Sequence, residues 1–342
     1  MKKYILKRLA LAVLVLFGLT IITFFLARVI PGDPAALWVG QRAKAEQMEA
    51  ARKELGLDKP LPVQFLVYMK NLVTGDLGTS LRTRRRVSDE ILRRYAATFE
   101  LVTVSIVIAL LIGLPVGVVS AVRKDKPVDH VSRAVSISGV AIPVFWLGMI
   151  LQLLLNGKLG WLPLQGRIGS QVLLSDPVSP ITGFYLFDSL VTGNWPAFVS
   201  CVKHIALPAI TLSFASLAVV TRMSRSSMLE VLKEDFIQTS QAYGVSRRTI
   251  LYKYALKNAL IPTITVVGLT YGMMLGGSVV VESIFDWPGL GHFIVLSVTT
   301  NDYPAIMGST LTFALTYVTI NLIVDLIYFV IDPRIKVPGS RR

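Results

Sequence analysis

The chain has 342 residues, 53% of them hydrophobic and 16% charged, with a formal net charge of +14 and a mean hydropathy of +0.61. Soluble domains average about 25% charged residues, so much of this chain has no water to face, and a soluble reading of its length is excluded. The basic excess sits beside apolar segments, which suits an anionic membrane surface and not nucleic acid.

Six segments are long and apolar enough to cross about 30 Å of hydrocarbon: 9–29, 97–122, 131–156, 205–220, 261–283 and 304–331. The expected fold class is an all-α membrane protein of about six transmembrane helices. Lys2, Lys3, Lys7 and Arg8 precede the first segment, whose apolar core is longer than that of a secretory signal and lacks a cleavage site, so it reads as a retained helix. The connection 30–96 is long enough to be translocated whatever its charge, and reads as a small extracytoplasmic lobe. Within it, helices are expected over 41–55, stopped by Gly56 and Pro60, and over 63–73, between Pro62 and Gly75. The Arg82-Thr83-Arg84-Arg85-Arg86 run reads as a solvated face. The fourth segment is short and carries Pro208.

Lys and Arg beside the short loops set the orientation. Arg123, Lys124, Lys126 and Arg133 flank the second-to-third connection. Arg222, Arg225, Lys233, Arg247, Arg248, Lys253 and Lys257 fill the fourth-to-fifth, and Arg334, Lys336, Arg341 and Arg342 follow the last segment. The loop 284–303 has none. Both termini are therefore expected in the cytoplasm. The chain divides into 1–30, the lobe 31–96, and a core 97–342 that includes a cytoplasmic hairpin, 222–261.

In that hairpin Met228, Leu232 and Phe236 recur every four residues, with Leu229 and Ile237 on the same side, which predicts an amphipathic helix. Gly244-Val245-Ser246 then supplies a left-handed stop and an N-cap, and a second helix from Arg247 places Ile250, Leu251 and Tyr254 on one side. A tether needs only a few residues, so this length and patterning favour a docking surface.

The stretch from Met228-Leu229-Glu230 through Gly244 to Asn258-Ala259-Leu260-Ile261-Pro262 resembles the cytoplasmic motif of binding-protein-dependent ABC importer permeases, in the first-permease form of the dipeptide and oligopeptide branch. Arg28-Val29-Ile30-Pro31-Gly32-Asp33-Pro34, the run Leu55 to Gln64, Gly75-Asp76-Leu77-Gly78-Thr79-Ser80, Phe285-Asp286-Trp287-Pro288-Gly289-Leu290-Gly291, Asp302-Tyr303-Pro304 and Asp332-Pro333-Arg334 match the same branch in order. The resemblance covers nearly the whole chain. It departs where such permeases carry Glu-Ala-Ala and this chain has Gln238-Thr239-Ser240.

The resemblance implies a coupling helix formed by Ser240, Gln241, Ala242, Tyr243, Gly244, Val245, Ser246, Arg247 and Arg248, seated in a cleft of an ATPase subunit. Small residues and one aromatic enter a groove closely, and the arginines can pair with carboxylates there. It also implies a second permease, two ATPase subunits and an extracytoplasmic solute-binding protein as partners. The sequence has no phosphate-binding Gly-x4-Gly-Lys-Ser/Thr loop and no hydrolase or zincin motif. No catalytic residue and no cofactor are expected in this chain, and ATP and Mg belong to the partners. The lone Cys201 and the isolated His130, His204 and His292 give no metal site.

For the translocation pathway, Tyr271, Met273 and Met274 lie in a span of small and adaptable residues that either lines a pore or packs helices. Asp325, inside the sixth segment, either pairs structurally or marks the path. Glu282 ends the fifth, where helix-end solvation competes with contact to cargo, and Glu100 reads as interfacial. Phe285, Asp286, Trp287, Pro288 and Gly289 form an outer loop that, by resemblance, touches the binding protein or its cargo. A self-sufficient secondary transporter would show an internal repeat and broken helices at matching positions, which the sequence lacks. Peptides are the favoured cargo by branch, with oligosaccharides or nickel chelates as alternatives.

Overall fold

The computed structural model describes residues 2–29, 33–40 and 42–331. Pro31-Gly32, Gln41, the Asp332-Pro333-Arg334 motif and the basic residues Arg334, Lys336, Arg341 and Arg342 lie outside the described residues, as do the side chains of Lys2, Lys3, Lys7 and Asp325. Among the described residues the architecture is helical, with an isolated antiparallel bridge between Thr79 and Arg86. In chain order the helices are α1 (Lys2–Val29), α2 (Pro34–Val39), α3 (Ala45–Glu54), α4 (Leu61–Val73), α5 (Val87–Val122), α6 (Pro127–Ala141) and α7 (Val144–Leu151). They continue as α8 (Ser170–Ser175), α9 (Tyr185–Val191), α10 (Trp195–Val231), α11 (Asp235–Ala242), α12 (Arg247–Thr249), α13 (Leu256–Ile284), α14 (Leu290–Thr299) and α15 (Tyr303–Ile331). Among the described residues five helices are long and apolar enough to cross a membrane, and a sixth span forms if the bent pair of α6 and the helix of Val144–Lys158 is taken as one.

That sixth span is not the straight helix expected over 131–156. α6 and the helix of Val144–Lys158 meet at an angle of 105°. Pro143 has no N–H to continue the ladder and forces the preceding residue out of the helical region. Ile142 is accordingly extended, at ψ 123°. The fourth span is longer than expected. α10 runs for 37 residues and accommodates Pro208 internally. At 1.5 Å per residue it is about 55 Å long, well beyond the bilayer core.

The chain forms two compact units. One comprises the chain up to Thr98 with Pro288–Val318. Its core gathers Phe24, Leu81, Tyr303 and Met307, with Trp38, Phe65 and Tyr68 packed around them. A second cluster joins Val87 and Ile91 of α5 to Leu290 and Phe293 of α14. Buried Asp302 accepts from Ser80 Oγ (2.5 Å) and from the N–H groups of Leu81 (3.1 Å) and Ala305 (3.3 Å), so it caps α15 and fixes the turn before α5. Asp33 caps α2, and the Arg52 guanidinium at 2.8 Å holds its carboxyl below the usual carboxylate range.

The other unit comprises Phe99–Trp287 and the chain from Thr319 onward. Here α10 packs along α13 and α6. Gly117 of α5 lies against α10: a β-carbon there would meet the Thr221 carbonyl oxygen at 2.7 Å and Ser224 Cβ at 2.8 Å. Small residues permit that approach, the usual way that apolar helices associate in lipid.

Candidate functional site: a pinned helical hairpin

α10 ends at Val231, and Leu232, Lys233 and Glu234 turn the chain before α11 begins at Asp235. The amphipathic helix expected across 228–237 is therefore broken. Met228 and Ile237 are both fully buried, whereas Phe236 is 42% exposed, so the four-residue repeat does not persist through the turn. The reason is local: Glu234 is extended, at ψ 147°, and restarts the helical register.

The expected stop and restart at Gly244 form as read. Gly244 has φ +73°, and the Val245 N–H donates to the Ser240 carbonyl at 3.1 Å, closing the end of α11. Ser246 Oγ accepts from the Thr249 N–H at 3.4 Å and lies 2.8 Å from Thr249 Oγ1. α12 then runs through a π-helical stretch, Ile250–Ala255, into α13. Beneath the tip a cluster of Val118, Ala121, Met228, Ile237, Ile250, Ala255 and Ala259 holds the hairpin against the ends of α5 and α10. Burying the valine, methionine and isoleucine side chains among them stabilises by about 1.5–3 kcal/mol each. Gln241, Ala242, Gly244, Ser246, Arg247 and Arg248 are exposed, Ser240 and Val245 are half-buried, and Tyr243 projects with 83% of its surface exposed.

At the base of the hairpin lies a charge constellation that sequence reasoning missed. Asp129, fully buried, accepts from Arg225 Nε (2.6 Å) and a terminal guanidinium nitrogen (2.8 Å), from Ser120 Oγ (2.5 Å) and from the Asp125 N–H (3.0 Å). Arg133 stands 3.8 Å away. One carboxylate thereby ties the end of α5, the start of α6 and the last turns of α10. The available signal was Asp129 just after Lys126-Pro127, one of two acids, with Asp125, in an otherwise basic connection.

Of the pathway candidates, Tyr271, Met273, Met274 and Glu282 have described side chains. Tyr271 reaches α5, its hydroxyl 2.8 Å from Thr103 Oγ1 and its ring 5.9 Å from that of Phe99. Met274 is buried, while Met273 is 71% exposed. Gly268, in the same stretch, lies so close to Val324 that a β-carbon would clash with it, so that face packs a helix. Glu282 is fully buried, not solvated at a helix end. Phe285 and Trp287 are buried, the Phe285 carbonyl accepts from the Gly166 N–H at 2.9 Å, and exposed Asp286 sits at φ +46°. Pro288 is exposed and Gly289 precedes α14.

Glu100 is buried within the protein. Its carboxylate accepts from Arg167 Nε (3.1 Å) and from the Leu186 N–H (2.7 Å), and both side chains are buried. The Arg167 guanidinium also donates to the Gly183 carbonyl and lies 3.8 Å from the Tyr185 ring centroid. Asp188 braces the same loop, accepting from the N–H groups of Ile181, Thr182 and Gly183 and from the Thr182 hydroxyl. Burial pushes its carboxyl up, but those donors outweigh it and hold the group below its ordinary value of 3.8. The stabilisation is thus present above that ordinary value and is lost as pH falls below it, through the lower folded value. Asp188→Asn, which sets an amide against those donors, is expected to cost about 1–3 kcal/mol locally. Hydrogen exchange at residues 181–183 checks this, and unchanged protection would refute it.

Comparison with known proteins meets this geometry. Residues 113–337 match the family described as binding-protein-dependent transport system inner membrane component, and residues 1–102 match the family described as binding-protein-dependent transport system membrane component, N-terminal. The chain is 44% identical over 336 residues to the dipeptide transport system permease protein of Alkalihalophilus pseudofirmus, covering 98% of this chain and 100% of the relative. It is 46% identical over 328 residues to the probable D,D-dipeptide transport system permease protein of Escherichia coli K12, covering 96% of each. To the glutathione transport system permease protein of Escherichia coli O6:H1 it is 39% identical over 336 residues, covering 98% of this chain and 99% of the relative. With membrane-spanning helices throughout and matches that run essentially end to end, this protein belongs to the binding-protein-dependent transport system inner membrane components, as a multi-pass permease subunit.

Proposed function

We propose that the chain forms half of a translocation pathway for short peptides, driven by separate ATPase subunits that grip the hairpin around Tyr243 and Gly244. One observation carries this reading: the hairpin is fixed by an apolar core, yet offers its polar tip to solvent with Tyr243 83% exposed. A solvated tether has no use for such anchorage. An aromatic on a rigid support, flanked by Arg247 and Arg248, has the make-up of an interface anchor.

The basic connections support a cytoplasmic hairpin and cytoplasmic termini, on the side where ATPases are found, with the lobe 31–96 outside. Two ATPases closing on ATP and Mg would draw together the hairpins of this chain and of a second permease, and a rigid-body shift would alternate access across the bilayer. The chain itself would remain non-catalytic. A solute-binding protein would deliver cargo at the outer face. The dipeptide and D,D-dipeptide names of the relatives favour peptides over oligosaccharides or nickel chelates.

The test is Tyr243→Ala together with Arg247→Glu, assayed by ATPase co-purification and by uptake of a labelled dipeptide into proteoliposomes. We expect about tenfold weaker ATPase association, or about 1.4 kcal/mol, and a matching loss of ATP-driven uptake. Unaltered association and uptake would defeat the assignment, as would peptide uptake by the purified chain alone.

A further inference from the structure

α4 has thirteen residues and is about 20 Å long, too short to cross a bilayer. Its inner face, through Phe65 and Tyr68, packs on the cluster of Phe24, Tyr303 and Met307. The Phe65 ring lies 5.2 Å from that of Phe24 and 6.5 Å from that of Phe25. The opposite face is apolar and exposed among the described residues: Val73 is 83% exposed, Leu66 66%, Val67 46% and Val63 40%. Lys70 is the charged residue among them. A patch of this kind marks an interaction surface.

Two markers fix the level at which this face sits. Phe24 and Phe25 belong to the last turn of the membrane span Arg8–Leu26, and Tyr303 and Met307 to the first turns of the span Tyr303–Val324. α4 therefore packs where one span leaves the hydrocarbon and another enters it. The exposed surface of α1 runs on at the same level through Phe25 (46% exposed) and Leu26 (57% exposed).

We propose that α4 is an in-plane membrane-surface helix, with Val63, Leu66, Val67 and Val73 among lipid acyl chains and Lys70 among the headgroups. The lysine stem lies along the apolar face while its ammonium reaches the phosphates. The occupant is lipid and not a protein, because this face continues a surface that already borders hydrocarbon. The inference is independent of cargo and of the hairpin's partner. Its consequence is that α4 fixes the depth of the lobe by floating it on the bilayer.

The test uses the full transporter in lipid nanodiscs, with Cys201→Ser removing the native thiol. Leu66→Cys and Val73→Cys are labelled with a small fluorophore, and Glu46→Cys, on the exposed start of α3, serves as the aqueous control. Lipids carrying a nitroxide near the headgroup end of the acyl chain are expected to remove about half of the emission at positions 66 and 73, with iodide removing less, and the reverse at position 46. Emission at 66 and 73 quenched more by iodide than by lipid nitroxide, or shielded from both as under a docked protein, would overturn the proposal.

Discussion

Asp129→Ala is expected to destabilise the protein by about 3 kcal/mol and to loosen the hairpin before anything else. Asp129 has no exposed surface, and the Arg225 side chain it grips is 19% exposed. Removing the carboxylate leaves the guanidinium short of its partner and strips the acceptor from Ser120 Oγ and the Asp125 N–H. Losing one partner of a buried pair costs more than losing both. Asp129→Ala with Arg225→Leu should therefore recover much of the loss. Denaturant titration in detergent reads the stability, and hydrogen exchange over residues 235–250 reads the loosening. A single variant as stable as the parent, or a double variant worse than the single, would show that the constellation is incidental.

Gly117→Leu should come close behind, at about 3 kcal/mol. The crowding there includes backbone: the Thr221 carbonyl oxygen would lie 2.7 Å from the first added carbon, and Ser224 Oγ 2.9 Å from it. A carbonyl held in a helical ladder cannot rotate aside as a long side chain can, so α5 and α10 must separate. The separation would also disturb the cluster beneath the hairpin, since Val118 and Ala121 are on the same stretch of α5. Lower thermal stability in detergent, with Gly117→Ala intermediate between parent and leucine, is the expected series. Equal stability of all three would mean that the helices do not approach this closely.

The membrane spans were legible because hydropathy is a property of each segment alone, and the hairpin's tip because Gly244 and Ser246 act on their own neighbours. What was hidden depended on partners far along the chain. Glu100 finds Arg167 67 residues on, and Asp129 finds Arg225 96 residues on. No local pattern links such pairs. The continuity of α10 past Val220 was hidden for the same reason: Arg222 and Arg225 read as the start of a separate hairpin, 222–261, until the Asp129 carboxylate is in view. The bend at Pro143 escaped because the apolar run continues unbroken across it, so composition reported one span where backbone chemistry makes two pieces. Among the pathway candidates, small and adaptable residues serve packing and pore alike, and Gly268 against Val324 shows packing at that position.

The length of α10 has a mechanical consequence. Over about 55 Å, a tilt of about five degrees of α10 as one body about its hairpin end swings the far tip by about 5 Å, and bending at Pro208 would take up part of that swing. A tilt at the hairpin end can therefore reach the far end of α10 as a displacement of several ångströms, with each side chain in between moving in proportion to its distance from the pivot. Stiffness, not flexibility, is the property that such a helix must keep.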